Sequence, residues 1–156
     1  MKEGDVKIPT DQRSTEELDF LGSPARILVD GATAGGAYCL VEASAPQGDM
    51  PPLHLHHADD EAFYVLEGRL TLFVGEGTID VAAGSCAFAP RGVPHTYRVE
   101  SDAARWLVAG SPAGFDAFVR DVAAAGSDVA PAELATISGR HGIELLGPPG
   151  MLPADA

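Results

Sequence analysis

Between residues 25 and 110 the chain is cut into nine short apolar runs, each closed by turn residues and too brief for an ordinary helix. The runs fall at 25–29, 37–45, 52–56, 61–66, 69–74, 78–81, 86–89, 95–99 and 105–109. Between them stand Asp30-Gly31, Gln47-Gly48-Asp49, Glu67-Gly68, Gly75-Glu76-Gly77, Ala83-Gly84, Arg91-Gly92 and Ser101-Asp102. Strand-sized segments at such regular spacing predict an all-β sandwich or barrel. A jelly-roll β-barrel of two packed sheets accommodates this number of strands and hides most of their edges.

Past Pro112 the texture changes. Residues 113–125 set Phe115, Phe118, Val119 and Val122 at helical spacing, so one face can pack on the barrel, and Gly126 stops the run. A second short helix is expected over 130–138, with Pro131 suited to its first turn. The segment from Gly142 has a brief apolar run and then a proline-rich end. Residues 1–20 are polar with weak periodicity and read as an arm. The division that follows is an N-terminal arm over 1–24, a β-barrel over 25–110, and a C-terminal helical extension and tail over 111–156. A length of 156 residues suits one such domain.

Ten basic residues against 23 acidic ones give a net charge of −13. That balance repels phosphate backbones and anionic head groups, so neither nucleic acid nor a membrane surface is an expected partner. The first twenty residues lack the apolar core of a secretory signal, and no stretch reaches the roughly 20 apolar residues of a membrane span. Cys39 and Cys86 lie in apolar runs and read as reduced, packed thiols. A cytoplasmic protein is the resulting expectation.

Two stretches carry chemistry. In GDMPPLHLHHADDEAFYVLEG, Gly48–Gly68, His54 and His56 are two apart on a strand, so both imidazoles point to one face about 6–7 Å apart. Glu61 follows at an odd separation, which the turn His57-Ala58-Asp59-Asp60 resolves by sending the chain back with Glu61 facing the histidines. The same alternation turns Phe63 and Val65 inward. In GSCAFAPRGVPHTYRV, Gly84–Val99, a strand ends at Pro90, Arg91-Gly92 turns, and His95 opens a new strand with Tyr97 on its own face. If the barrel closes, this hairpin is expected opposite the first, and three imidazoles and one carboxylate converge. Such a donor set suits one divalent transition metal (Fe, Mn, Ni, Cu or Zn) and excludes an all-thiolate site.

Together these stretches resemble the two sequence motifs of the cupin superfamily. Gly48, His54, His56, Glu61 and Gly68 match the first, and Gly84, Pro90, Gly92 and His95 the second; Val99 stands where asparagine is frequent. The resemblance covers about residues 25–110 and implies that His54, His56, Glu61 and His95 are the metal ligands. A narrower likeness, in PPLHLHHADDEAFYVLEG and the later RHGIELLGPP, is to small single-domain cupins akin to bacterial quercetin 2,3-dioxygenase. Those enzymes cleave a flavonol ring oxidatively, and the likeness implies a small-molecule substrate. Glu61 is then either ligand alone or ligand and base, and Tyr97 a second catalytic candidate through its hydroxyl. Phe63, Val65, Tyr97 and Trp106 are the expected pocket walls, with Met50 at the mouth. His57 and Asp59-Asp60 read as surface and turn residues, and His141 as structural or exposed.

Three function classes fit. A metal dioxygenase acting on an aromatic or enolisable substrate leads. A non-oxidative isomerase, cyclase or lyase of secondary metabolism would use the metal as a Lewis acid. A non-catalytic ligand-binding barrel would bind without product. The resemblance also implies a homodimer, with residues 25–45 and the C-terminal helix as candidate surfaces.

Overall fold

A computed structural model describes residues 16–156. The nine expected strands are present as β2 (Ser23–Val29), β3 (Cys39–Pro46), β4 (Leu53–His56), β5 (Asp60–Glu67), β6 (Arg69–Val74), β7 (Gly77–Ala82), β8 (Cys86–Ala89), β9 (His95–Val99) and β10 (Ala103–Ser111). Two more join them: β1 (Glu17–Phe20) and β11 (Ile143–Gly147). Antiparallel pairing builds one sheet in the order β1-β2-β3-β10-β5-β8 and a second in the order β11-β4-β9-β6-β7. The fold is an all-β jelly roll with two short helices, α1 (Phe115–Ala125) and α2 (Pro131–Arg140).

The two added strands extend the sheets beyond residues 25–110 on both sides. Glu17–Phe20, part of the expected arm, pairs with Arg26–Ser23, while residues 1–15 lie outside the described residues. β11 pairs with β4, the strand that carries His54 and His56, so the chain's last strand braces its chemical centre. No helix among the described residues is long and apolar enough to cross a membrane.

Inward-facing alternation fills the space between the sheets. Val65, Leu70, Leu72, Val81, Val99 and Trp106 are fully or almost fully buried there. A second cluster forms where Phe118 and Val122 of α1 and Leu134 and Ile137 of α2 meet Ile143, with Phe20 and Leu21 packed against it. The expected helix face is therefore the buried one, and it covers one end of the barrel. Cys39 is buried as expected, but Cys86 is exposed. Alternation along β8 turns Ala87 and Ala89 inward and leaves Cys86 and Phe88 outside, which an unbroken apolar run had concealed.

Gly68 closes the β5–β6 hairpin at φ +78°, where a side chain is strained. A Cβ there would also strike the Ala103 carbonyl oxygen and come within 2.9 Å of Ala104 Cα. Neither is the end of a flexible side chain, so nothing yields cheaply. Gly68→Ala is expected to destabilise the fold by about 2–3 kcal/mol, read from the shift in urea midpoint. A midpoint matching that of the unsubstituted protein would show that the hairpin can re-form around the methyl group.

Candidate metal centre

β4 and β9 are neighbours in the five-stranded sheet, and His54 pairs directly across from His95. Glu61 reaches in from β5 of the facing sheet, where it is paired with Gly110 and Ala89. The second hairpin thus lies beside the first rather than opposite it. Each hairpin crosses from one sheet to the other and gives a strand to both, so histidines from one sheet meet the acid from the other.

The two crossing loops are tied together. Gly92 N–H donates to the His56 carbonyl at 2.7 Å, and the Arg91 backbone N–H donates to Asp60 Oδ1 at 2.9 Å. The Arg91 guanidinium adds contacts of 3.1 and 3.2 Å to the same carboxylate. Those bonds lower the Asp60 carboxyl below its ordinary value.

Donor atoms of His54, His56, Glu61 and His95 all lie within 4.8 Å of one another. His95 Nε2 is 2.9 Å and His56 Nε2 3.2 Å from Glu61 Oε2. His56, Glu61 and His95 are buried at 1–2% exposure, and His54 keeps slightly more. The opposite ring nitrogens are all engaged. His54 Nδ1 lies 2.7 Å from the Pro52 carbonyl and His95 Nδ1 3.0 Å from that of Val93. A carbonyl can only accept, so both Nδ1 atoms carry the hydrogen and both Nε2 atoms present a lone pair when the rings are neutral. His56 Nε2 is buried with no hydrogen-bond partner among the described residues. Three inward nitrogens, one of them orphaned, and a carboxylate fit a divalent cation.

Electrostatics agree with that fit. Burial, with His95 and His56 close by, pushes the His54 imidazole down to about 3 against the pull of Glu61, so it stays neutral and available as a donor. Burial also opposes charge on His56, but the Glu61 carboxylate and the Asp59 hydrogen bond outweigh it and raise that imidazole. For Glu61, burial acts upward, yet the charge of His56 and the close approach of His95 bring it down to about 2.

Asp59 is not the solvated turn residue expected from sequence. It is 6% exposed, and both its carboxylate oxygens lie 3.1 Å from His56 Nδ1. Its acidic neighbour Asp60 does face outward, onto Arg91. A carboxylate behind a ligating histidine fixes the ring and raises its basicity. Asp59→Asn keeps the shape and removes the charge, and ion affinity by chelator competition is expected to fall about 10–100-fold. Affinity unchanged by the substitution would leave Asp59 a turn residue only.

His57 faces outward and meets Glu144 at 2.9 Å, and His141 meets Asp121 at 2.6 Å. Phe63, Tyr97 and Trp106 line a chamber that runs from the donor cluster toward the barrel mouth, and Met50 lines its outer part. Val65 packs in the core away from that lining.

Comparison with known proteins follows the same lines. The cupin domain family matches residues 41–110, which contain all four donors. An uncharacterized protein of Streptomyces coelicolor is 43% identical over 102 residues, covering 65% of this chain and 91% of that one. The chain belongs to the cupin superfamily. This cupin is also 33% identical over 101 residues to quercetin 2,3-dioxygenase of Bacillus subtilis, a match covering 64% of this chain but only 30% of the enzyme. An RmlC-like cupin from Shewanella frigidimarina shares the fold at a TM-score of 0.59 and 22% identity, covering 69% of this cupin and 92% of that structure.

Proposed function

We propose that this cupin is a metal-dependent dioxygenase acting on an aromatic or enolisable small molecule. The observation that carries the reading is the donor cluster of His54, His56, Glu61 and His95 at the inner end of a chamber with apolar walls. Likeness to quercetin 2,3-dioxygenase supports the oxidative branch. A divalent transition metal held there would supply a Lewis-acidic, redox-capable centre with coordination positions left over.

The chain's own groups divide the remaining work. Tyr97 is held protonated well above its ordinary range by burial, with the Asp49 and Glu61 carboxylates adding to it. Its hydroxyl is therefore a hydrogen-bond donor for a substrate oxygen and not a base. Glu61 is held ionised, and a carboxyl so low is a weak proton acceptor, so its first role is as a ligand. Phe63 and Phe115 wall the inner part and keep bulk water from it.

In the reaction both atoms of dioxygen enter the product and the organic substrate supplies the electrons. The test is oxygen uptake with a flavonol panel, using protein reconstituted separately with Fe, Mn, Ni, Cu and Zn. One dioxygen consumed per substrate, with a redox-active ion and none with zinc, is expected. Turnover without oxygen in the zinc form would replace this reading with a non-oxidative isomerase, cyclase or lyase.

A further inference from the structure

We propose that the chamber selects flat, uncharged, largely apolar ligands bearing an oxygen acceptor that the Trp106 indole N–H holds, and that Asp49 at its outer end turns anionic ligands away. This rests on the proposed function for the place where chemistry occurs, but binding itself requires no turnover.

The outer compartment has a volume of about 580 Å³, and a smaller one of about 60 Å³ reaches the donor cluster. Pro51, Pro52, Tyr97 and Trp106 wall both. The larger volume falls within the ~300–1,000 Å³ usual for small-molecule sites. α2 and the turn after β11 contribute Pro131, Leu134, Pro148 and Pro149 to the outer wall. Proline fixes the backbone in advance, so a ligand meets a pre-shaped surface with little ordering left to do.

Charge in the outer compartment has one sign. Among the described lining residues, Asp49 carries the outer compartment's only charged side chain, and Glu61 the inner compartment's carboxylate. Asp49 lines the outer compartment and not the inner one, and burial raises its carboxyl above the ordinary value. A phosphate, sulfate or carboxylate entering this space would lose water and meet another anion.

Trp106 gives the recognition its polar element. The residue is 1% exposed, and its Nε1 has no hydrogen-bond partner among the described residues. A buried indole N–H ordinarily finds an acceptor, so this one is a donor in want of an oxygen. Tyr97 fixes the ring edge-on, with centroids 5.1 Å apart and planes at 68°. Ala43, its register partner on the neighbouring strand, lines both compartments beside it.

Trp106 is the chain's single tryptophan, so its emission reports occupancy directly. The protein as isolated is titrated without oxygen, so that no turnover intervenes. The probes are 3-hydroxyflavone, its phenyl-sulfonated derivative, and 2-phenylnaphthalene, which has a similar outline and no oxygen. Equilibrium dialysis gives affinities independent of fluorescence. A saturable emission change with 3-hydroxyflavone is expected, with the sulfonate bound about tenfold more weakly. Asp49→Asn, at a half-buried position, is expected to narrow that gap to about threefold or less. Trp106→Phe, read by dialysis, is expected to weaken 3-hydroxyflavone about fivefold and leave 2-phenylnaphthalene unchanged. Equal affinity for the neutral and sulfonated flavones, or equal loss of flavone and hydrocarbon in Trp106→Phe, overturns the proposal. Selective binding without any oxygen uptake upholds the chamber and removes the dioxygenase. Oxygen uptake with the sulfonate bound as well as the neutral flavone does the reverse.

Discussion

His56→Ala is expected to abolish ion retention through dialysis and to cost about 3–5 kcal/mol of folding stability. The two losses have one origin. His56 stands between two buried acids, with Asp59 at 3.1 Å behind its Nδ1 and Glu61 at 3.2 Å from its Nε2. Removing the imidazole takes away one candidate ligand and also strands the Asp59 carboxylate, whose side chain is only 8% exposed. A buried charge without its partner is among the costlier defects a core can hold. His54→Ala supplies the contrast, because the group behind that ring is the Pro52 carbonyl, which carries no charge. Its stability cost is expected to be nearer about 1–2 kcal/mol, although ion retention fails equally. In the double variant His56→Ala/Asp59→Ala, about 1–3 kcal/mol should return. Urea denaturation and elemental analysis after dialysis read both quantities. Equal costs for the two single variants, with no recovery in the double, would mean that Asp59 is not held by His56.

The four candidate donors were legible in the sequence through local geometry together with the resemblance to the two cupin motifs. His54 and His56 share a face through strand alternation, and Glu61 and His95 follow turns marked by glycine, proline and acidic residues. What sequence could not supply was the partner of each strand. That is why the second hairpin was expected across the barrel, when β4 and β9 are in fact hydrogen-bonded neighbours. Short strands were hidden for the same reason. Glu17–Phe20 and Ile143–Gly147 have little pattern of their own and become strands only because β2 and β4 offer open edges. Asp59 was lost between two adjacent acids. Only its position three residues past a candidate ligand histidine hinted that it turns inward while Asp60 turns to Arg91. The Trp106 donor left no trace in sequence, since an orphaned N–H is defined by what surrounds it.

Stripping the ion with a chelator is expected to lower the thermal midpoint by roughly 8–16 °C. The estimate follows from a gain of about 4 kcal/mol at an ion concentration 1,000 times its Kd, and about 2–4 °C per kcal/mol for a chain of this size. Charge balance explains why the ion should matter so much to the fold. Glu61 and Asp59 bring two buried carboxylates within reach of the same imidazole, His56. A dication held by the three inward nitrogens and Glu61 would neutralise that pair in full. Without it the imidazoles must supply the positive charge, and His54 cannot contribute, because burial and its neighbours hold it down to about 3. The consequence separates the acids. In Asp59→Asn the ion has one buried negative charge to neutralise instead of two, and the chelator-induced drop should shrink. Wild-type and Asp59→Asn proteins melted with and without chelator, then restored with a single added ion, test both parts. A midpoint indifferent to the chelator would mean that the barrel does not depend on an ion at this centre, and the catalytic reading would lose its base.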